Sequence, residues 1–244
     1  MKQIKTLTAL FAVFFLLGIS PQVCASHAMA QLLLAEEGTE CDHSYSYGFC
    51  TLCGEPQADY VVPGTDGYYN LANAHEFLWW SKAVASGTTN ASARLTADID
   101  MEGIAMVPVG ATEQAPFRGT FDGQGHVIRN LELTGENKIG LFSYVTGGAY
   151  VKNFILDSSC SISGGSYVGT IGCTIGNGSV NIEGIGREGT VTASSVNAGG
   201  ILGCRLDNTA ILMSDCYVTG KVIGGSESAA MAGWVGSGAK LTNL

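Results

Sequence analysis

A short glycine-bounded word returns along the second half of the chain: Gly140-Leu-Phe-Ser, Gly169-Thr-Ile-Gly, Gly200-Ile-Leu-Gly and Gly233-Trp-Val-Gly, at steps of 29, 31 and 33 residues. Periods of about 20–50 residues belong to repeat architectures, in which one unit cannot bury its apolar face alone and its neighbours supply the rest of the core. A second anchor follows each word: Val151-Lys-Asn-Phe154, Val180-Asn-Ile182, Ser214-Asp-Cys216 and Leu241-Thr-Asn-Leu244. An earlier relative is Gly119-Thr-Phe-Asp-Gly123 with Val127-Ile-Arg-Asn-Leu131.

The residues between the anchors select the type of repeat. From Arg94 onward the text is short runs of Val, Ile, Leu and Thr broken by Gly, Asn and Ser, which reads as strands and turns. The regular leucines of leucine-rich repeats and the helices of helical repeats are absent, and a propeller blade needs about 40 residues. Short strands with glycine corners suit an all-β, right-handed parallel β-helix, whose coils stack about 4.8 Å apart. The 34 glycines among 244 residues, against 14% charged residues, then have a place: corners, and side chains turned into a core. Asn130, Asn153, Asn181 and Asn243 are expected to stack as a ladder, each amide donating to the next. Cys173 and Cys204, which follow Gly172 and Gly203, should lie on adjacent coils, as small core residues or as a disulfide pair. Cys160 and Cys216 read as buried apolar residues.

The N-terminal part is organised differently. Lys2 and Lys5 precede the apolar run Leu7 to Ile19, then Pro21 and small residues near Ala25 and Ala30, the layout of a secretory signal peptide over residues 1–30. Cleavage is expected after Ala30, with Ala25 as the other acceptable place. The expectation is therefore an extracellular or cell-surface protein with no membrane span in the mature chain. Asp+Glu 21 against Lys+Arg 12, a net charge of −9, argues against nucleic acid as a partner.

Within residues 31–60, the string CDHSYSYGFCTLCG brings Cys41, His43, Cys50 and Cys53 into thirteen residues. Cys50-Thr-Leu-Cys53-Gly54 has the shape of a zinc knuckle: a glycine after the second cysteine permits a tight turn that aims amide N–H groups at the thiolates. A Cys3His set predicts one structural zinc, because four protein ligands leave no open position for water. A Cys50–Cys53 disulfide, in keeping with an exported chain, is a second reading that leaves Cys41 unmatched, and free thiols are a third.

Asn73-Ala-His-Glu76 is a capping-box arrangement ahead of Phe77, Leu78, Trp80 and Val84, with Gly87 as the stop, so one amphipathic helix is expected near residues 74–86. His75-Glu76 begins like a metalloprotease motif, but the fifth position is Trp79, so no zinc protease site is read there. Asp98, Asp100 and Asp122, with Arg118, His126 and Arg129, are the candidates for an acidic site, since two carboxylates two apart on a strand share a face. Turn capping is the competing role for the same residues.

At these residues a family resemblance appears. The stretch from Tyr69 to Leu244, with NLANAHEFLWWSKAVASG, ARLTADIDM, VPVG, FRGTFDGQGHVIRNLEL and KIGLFSYVTGGAYVKNFIL in that order, resembles the GLUG-repeat β-helix domains of bacterial cell-surface proteins. The resemblance implies a pectate-lyase-like β-helix over 61–244, whose N-terminal helix plugs the open end, and a domain that runs on beyond Leu244. CDHSYSYGFCTLCG is similar to cysteine-containing inserts beside such domains. GLUG repeats also accompany bacterial immunoglobulin A peptidases, which carry their catalytic zinc elsewhere; no HExxH occurs in this chain. The expected role is a noncatalytic binding, adhesion or spacer module for a host or environmental glycan or protein. The other reading is a carbohydrate-active β-helix enzyme, or the noncatalytic part of a larger secreted peptidase.

Overall fold

The computed structural model describes residues 41–244. The expected signal peptide, residues 1–30, lies outside the described residues. A compact unit spans Ser44–Leu244. It opens with a hairpin, β1 (Tyr45–Ser46) and β2 (Phe49–Cys50), followed by β3 (Tyr69–Leu71), helix α1 (Ala74–Ala85), β4 (Ala93–Leu95) and β5 (Ile99–Asp100). The long β6 (Thr120–Arg129) precedes four coils of three strands each. These are β7 (Glu132–Thr134), β8 (Phe142–Thr146) and β9 (Tyr150–Leu156); then β10 (Ser161–Gly164), β11 (Ile171–Ile175) and β12 (Ser179–Arg187). The third has β13 (Thr190–Ala193), β14 (Leu202–Arg205) and β15 (Ala210–Ser214), with the short β16 (Tyr217–Val218) after it. The last has β17 (Val222–Ile223), β18 (Ala232–Trp234) and β19 (Ala239–Thr242).

Every coil-to-coil pairing is parallel, and β6 shifts register against β9 between Asp122 and His126. Two four-stranded sheets run β7-β10-β13-β17 and β8-β11-β14-β18, and a nine-stranded sheet carries β3, β4, β6, β9, β12, β15 and β19 with β5 and β16 beside them. The fold is thus a parallel β-solenoid, as the repeat predicts. Apolar side chains stack in columns that continue through the coils: Phe142–Ile171–Leu202–Ala232 on one sheet, Phe121–Val151–Ile182–Met213–Leu241 on another. From Phe121 to Met213 and Phe142 to Leu202 these residues are essentially inaccessible to water.

The repeated glycine is explained by the spacing between coils. A Cβ at Gly140 would stand 2.6 Å from Gly172 N and 2.7 Å from the carbonyl oxygens of Gly169 and Thr170, all backbone of the following coil. Two stacked strands at about 4.8 Å leave no room for a methyl where the chain bends inward at that corner.

Two sequence expectations are corrected by the register. Ala232 lies opposite Leu202 and Trp234 opposite Cys204, so Gly233 matches Gly203, not Gly200. The fourth copy of the word is Ala230-Met-Ala-Gly233, which restores a step of 30 residues. The asparagine ladder is also different. Asn181 lies in mid-strand opposite Tyr150 and Leu212. Asn130 turns a separate corner, where its amide reaches Asp100 at 2.8 Å. What recurs opposite Asn153 is a left-handed corner: Gln124 (φ 51°), Asn153 (58°), Gly184 (61°), Asp215 (55°) and Asn243 (52°). Asn, Asp and Gly tolerate this conformation best, so they interchange there. Amide-to-carboxylate bonds link this column to the neighbouring coils: Asn153 Nδ2 donates to Asp122, beside Gln124, at 3.2 Å and Asn243 Nδ2 to Asp215 at 3.0 Å.

Asn73 caps the helix as expected, and Glu76 makes its return bond to the residue before the cap. Asn73 Oδ1 accepts the amides of His75 at 3.1 Å and Glu76 at 3.0 Å, and Glu76 reaches back to the amide of Ala72 at 2.7 Å. The helix buries Phe77 and Trp80 against the first coils: Phe77 stacks on Phe121 with centroids 5.7 Å apart, and Trp80 meets Phe117 at 5.7 Å and Phe121 at 5.5 Å. These rings continue into Phe142 and Phe154, so the helix closes the apolar interior at its N-terminal end. Fully burying each such ring stabilises the fold by about 1.5–3 kcal/mol.

Candidate functional site

The cysteine string folds as a hairpin followed by a tight turn. Tyr47 (φ 51°) and Gly48 (φ 80°) form the two-residue loop, since both central positions need positive φ for the turn to match the twist of the strands. After β2, Gly54 takes φ 74°, its amide donating to Cys50 O at 2.9 Å. That turn aims the Leu52 amide at Cys50 Sγ, 3.4 Å away, an N–H···S bond that favours the thiolate. The ligand atoms of Cys41, His43, Cys50 and Cys53 all lie within 4.8 Å of one another. Sulfurs 2.3 Å from a tetrahedral zinc stand about 3.8 Å apart, so the cluster fits such an ion with small adjustments. Three sulfurs and one imidazole suit zinc and exclude calcium or magnesium, which take oxygen ligands.

The hairpin rests on the capping helix. Tyr47 stacks on His75 at 4.3 Å, Lys82 lies over the Phe49 ring at 4.3 Å, and Trp79 Nε1 donates to Gln57 O at 2.8 Å. His75, which belongs to no zinc protease motif, is a ring platform for the module.

The candidate acidic residues do not converge on an open site. Asp98 accepts from the Val127 amide at 3.0 Å and from Arg129 at 3.0 Å, and lies 3.2 Å from His126 Nδ1. The Val127 amide first, then His126 and Arg129, hold its carboxyl below the usual carboxylate range. Asp100 accepts from Asn130 Nδ2 and, at 3.0 Å, from the amide of Glu102; these bonds lower its pKa in the same order. Asp122 pairs with Lys152 at 3.3 Å and caps the Gln124 amide at 2.9 Å. A general acid in glycoside cleavage needs a raised pKa, the opposite of what Asp98 and Asp100 have. Arg129 bridges Asp98 and, at 3.6 Å, Asp157, whereas Arg118 enters no ion pair among the described residues. The arrangement fastens consecutive coils together.

Cys173 and Cys204 stand in register on β11 and β14, both fully buried, with their sulfurs 2.7 Å apart. Cys160 and Cys216 are buried too, but each donates its S–H to a carbonyl, of Ile128 at 3.2 Å and Ser214 at 3.3 Å. Burial pushes both of these thiols up.

One buried group had no signal in the sequence. Arg187 occupies a column otherwise made of Ile99, Ile128, Leu156 and Val218, and is itself inaccessible to water. Its Nη2 donates to the carbonyls of Thr190 at 2.5 Å and Cys160 at 3.3 Å, while Nε and Nη1 have no partner among the described residues. Desolvation lowers its pKa from 12.5 to about 10.

No family model matches the chain. Halomucin of Haloquadratum walsbyi is 28% identical over 179 residues, which is 66% of this chain and 2% of Halomucin. The chain therefore spans a small fraction of that relative's length. A crystal structure of a candidate immunoglobulin A1 protease from Bacteroides ovatus superposes with a TM-score of 0.48 at 18% identity, covering 73% of this chain and 65% of that one. No helix among the described residues is long and apolar enough to cross a membrane.

Proposed function

We propose that the chain is an exported, surface-exposed, noncatalytic binding or spacer module of the GLUG-repeat type, and that Cys41, His43, Cys50 and Cys53 hold a structural zinc. The observation that carries the reading is the commitment of the acidic residues. Asp98, Asp100 and Asp122 are each occupied by a cation, an amide or a turn of an adjoining coil, which leaves no opposed acid and base pair. Partial identity with Halomucin, a protein named as a mucin, supports a surface role. The partner class proposed is a host or environmental glycan or protein. The zinc, when bound, supplies a cross-link among four ligands of a short segment, and the Leu52 amide and the Gly54 turn preset Cys50 for it.

Purified protein should bind on a glycan array and leave pectin, alginate and glycosaminoglycan uncut. Turnover of any of these, lost in Asp98→Ala or Asp122→Ala, overturns the noncatalytic reading.

A further inference from the structure

Four buried cysteines lie in the solenoid, and their surroundings divide them. Cys160 spends its S–H group on Ile128 O of the preceding coil, and Cys216 on Ser214 O of its own corner. Cys173 and Cys204 instead face one another across a coil boundary, at 2.7 Å, closer than two unbonded sulfurs rest. Among the described residues the other acceptor near Cys173 is Thr174 O, 3.6 Å away. With Ile175 the pair forms a small cluster apart from the main core, covered by Tyr144, Tyr167 and Leu206. The column reads Tyr144–Cys173–Cys204–Trp234, so one aromatic closes it at each end. Directly paired parallel strands keep their Cα atoms about 4.8 Å apart, inside the 4.4–6.8 Å range that a disulfide spans.

We infer that Cys173 and Cys204 form an inter-coil disulfide that locks the second and third coils in register. The bond forms by thiol–disulfide exchange with a small-molecule or oxidoreductase disulfide. One cysteine thiolate attacks a sulfur of that oxidant and expels one thiolate, giving a mixed disulfide. The second cysteine thiolate then attacks the protein sulfur and expels the other. Two protein thiols are oxidised, one disulfide is reduced to two thiols, and the two protons pass to the thiolates released or to water. Both sulfurs are inaccessible in the closed solenoid, so exchange takes place while the coils assemble. The bond closes a loop from 173 to 204, one full turn. The inference is independent of the zinc and binding readings; it uses the exported compartment only as the source of oxidant.

The test is to unfold the full chain, refold it with glutathione disulfide or with dithiothreitol, quench by alkylation in denaturant with chelator, and map it without reduction. Trypsin cuts after Lys152, Arg187 and Arg205, so Cys173 and Cys204 fall in peptides 153–187 and 188–205. Because Cys160 shares the first peptide, the map is repeated on Cys160→Ser. The expected result is a linked pair of these peptides, lighter by two hydrogens, in the parent and Cys160→Ser chains and absent in Cys204→Ser. The oxidised chain should melt roughly 7–15 °C above the reduced one, from the entropy of closing a loop of that length. Separate, alkylated peptides at excess glutathione disulfide overturn the inference, as does a link that disappears with Cys160→Ser. Equal melting of the linked and reduced chains overturns its role as a lock.

Discussion

Replacing Gly169 by alanine puts one methyl group where the next coil already is. Its Cβ would lie 2.6 Å from Gly203 N, 2.7 Å from Ile171 O and 2.9 Å from Gly199 O. All three are backbone atoms, and no side chain can swing away. The hydrogen bonds that fix this corner, Ile171 N to Ile201 O at 2.7 Å and Gly199 N to Val168 O at 2.9 Å, must lengthen before the methyl fits. Overpacking of that kind costs about 1–3 kcal/mol, and three rigid contacts place this site at the upper end. For a chain of this size, about 3 kcal/mol lowers the melting temperature by roughly 6–12 °C. Gly125→Ala is the comparison: nothing lies within 4 Å of its Cβ, but φ is 80°, so only the backbone penalty of about 1–2 kcal/mol applies. Urea and thermal unfolding give the two losses. Hydrogen exchange at the Ile171 and Leu202 amides should quicken in Gly169→Ala and stay unchanged in Gly125→Ala. A Gly169→Ala chain that loses less than Gly125→Ala, or under about 0.5 kcal/mol, would refute close coil contact as the reason for the repeated glycine.

The remaining predictions concern charges and metal. Desolvation of Arg187 puts a penalty of about 3 kcal/mol on its charged form, from an ordinary value of 12.5 and a folded value of about 10. Arg187→Met removes that penalty together with two hydrogen bonds, so its unfolding free energy at pH 7 should lie within about 1 kcal/mol of the parent. A base with a depressed folded pKa sheds its penalty as it deprotonates, so as pH rises above about 10 the parent should gain stability relative to Arg187→Met; a relative loss there would contradict the burial. Asp98 has the opposite linkage: its lowered pKa contributes stability above the unfolded value near 3.8, which is lost as pH falls through the folded value. Acid unfolding from about pH 5 to 2 should therefore be less steep in Asp98→Asn, and equal steepness would show that its partners do not hold it. Protein purified under reducing conditions should contain one zinc per chain, lost in Cys53→Ser; metal-free parent protein would rule out the Cys3His reading.

The general plan was readable because its causes are local. Glycine spacing tracks coil contact, and Asn73 and Glu76 announce the helix start with short-range bonds that need no tertiary context. The fourth repeat was misaligned for a physical reason. The first glycine of each word is demanded by the coil that follows, as at Gly200, whose Cβ would meet Ala230 O at 2.4 Å. In the fourth copy Ala230 takes that first place, and alanine hides the word. The ladder was misread because the corner selects a backbone conformation, not a side chain; Gly184 and Asp215 serve where Asn153 and Asn243 do. Arg187 reads as one more scattered charge until register places it in an aliphatic column. The acidic residues stand close together in the sequence, but only the pairing of coils shows that Asp98 faces Arg129 and Asp122 faces Lys152.

The commitment of the acidic residues and the Cys173–Cys204 pair both rest on the parallel stacking of coils, and nuclear Overhauser contacts between backbone protons test it most directly. The account predicts contacts from Ile171 to both Phe142 and Leu202, and from Ile182 to both Val151 and Met213. Cross-strand contacts joining β11 to β12 in antiparallel order, without those to the preceding and following coils, would contradict it.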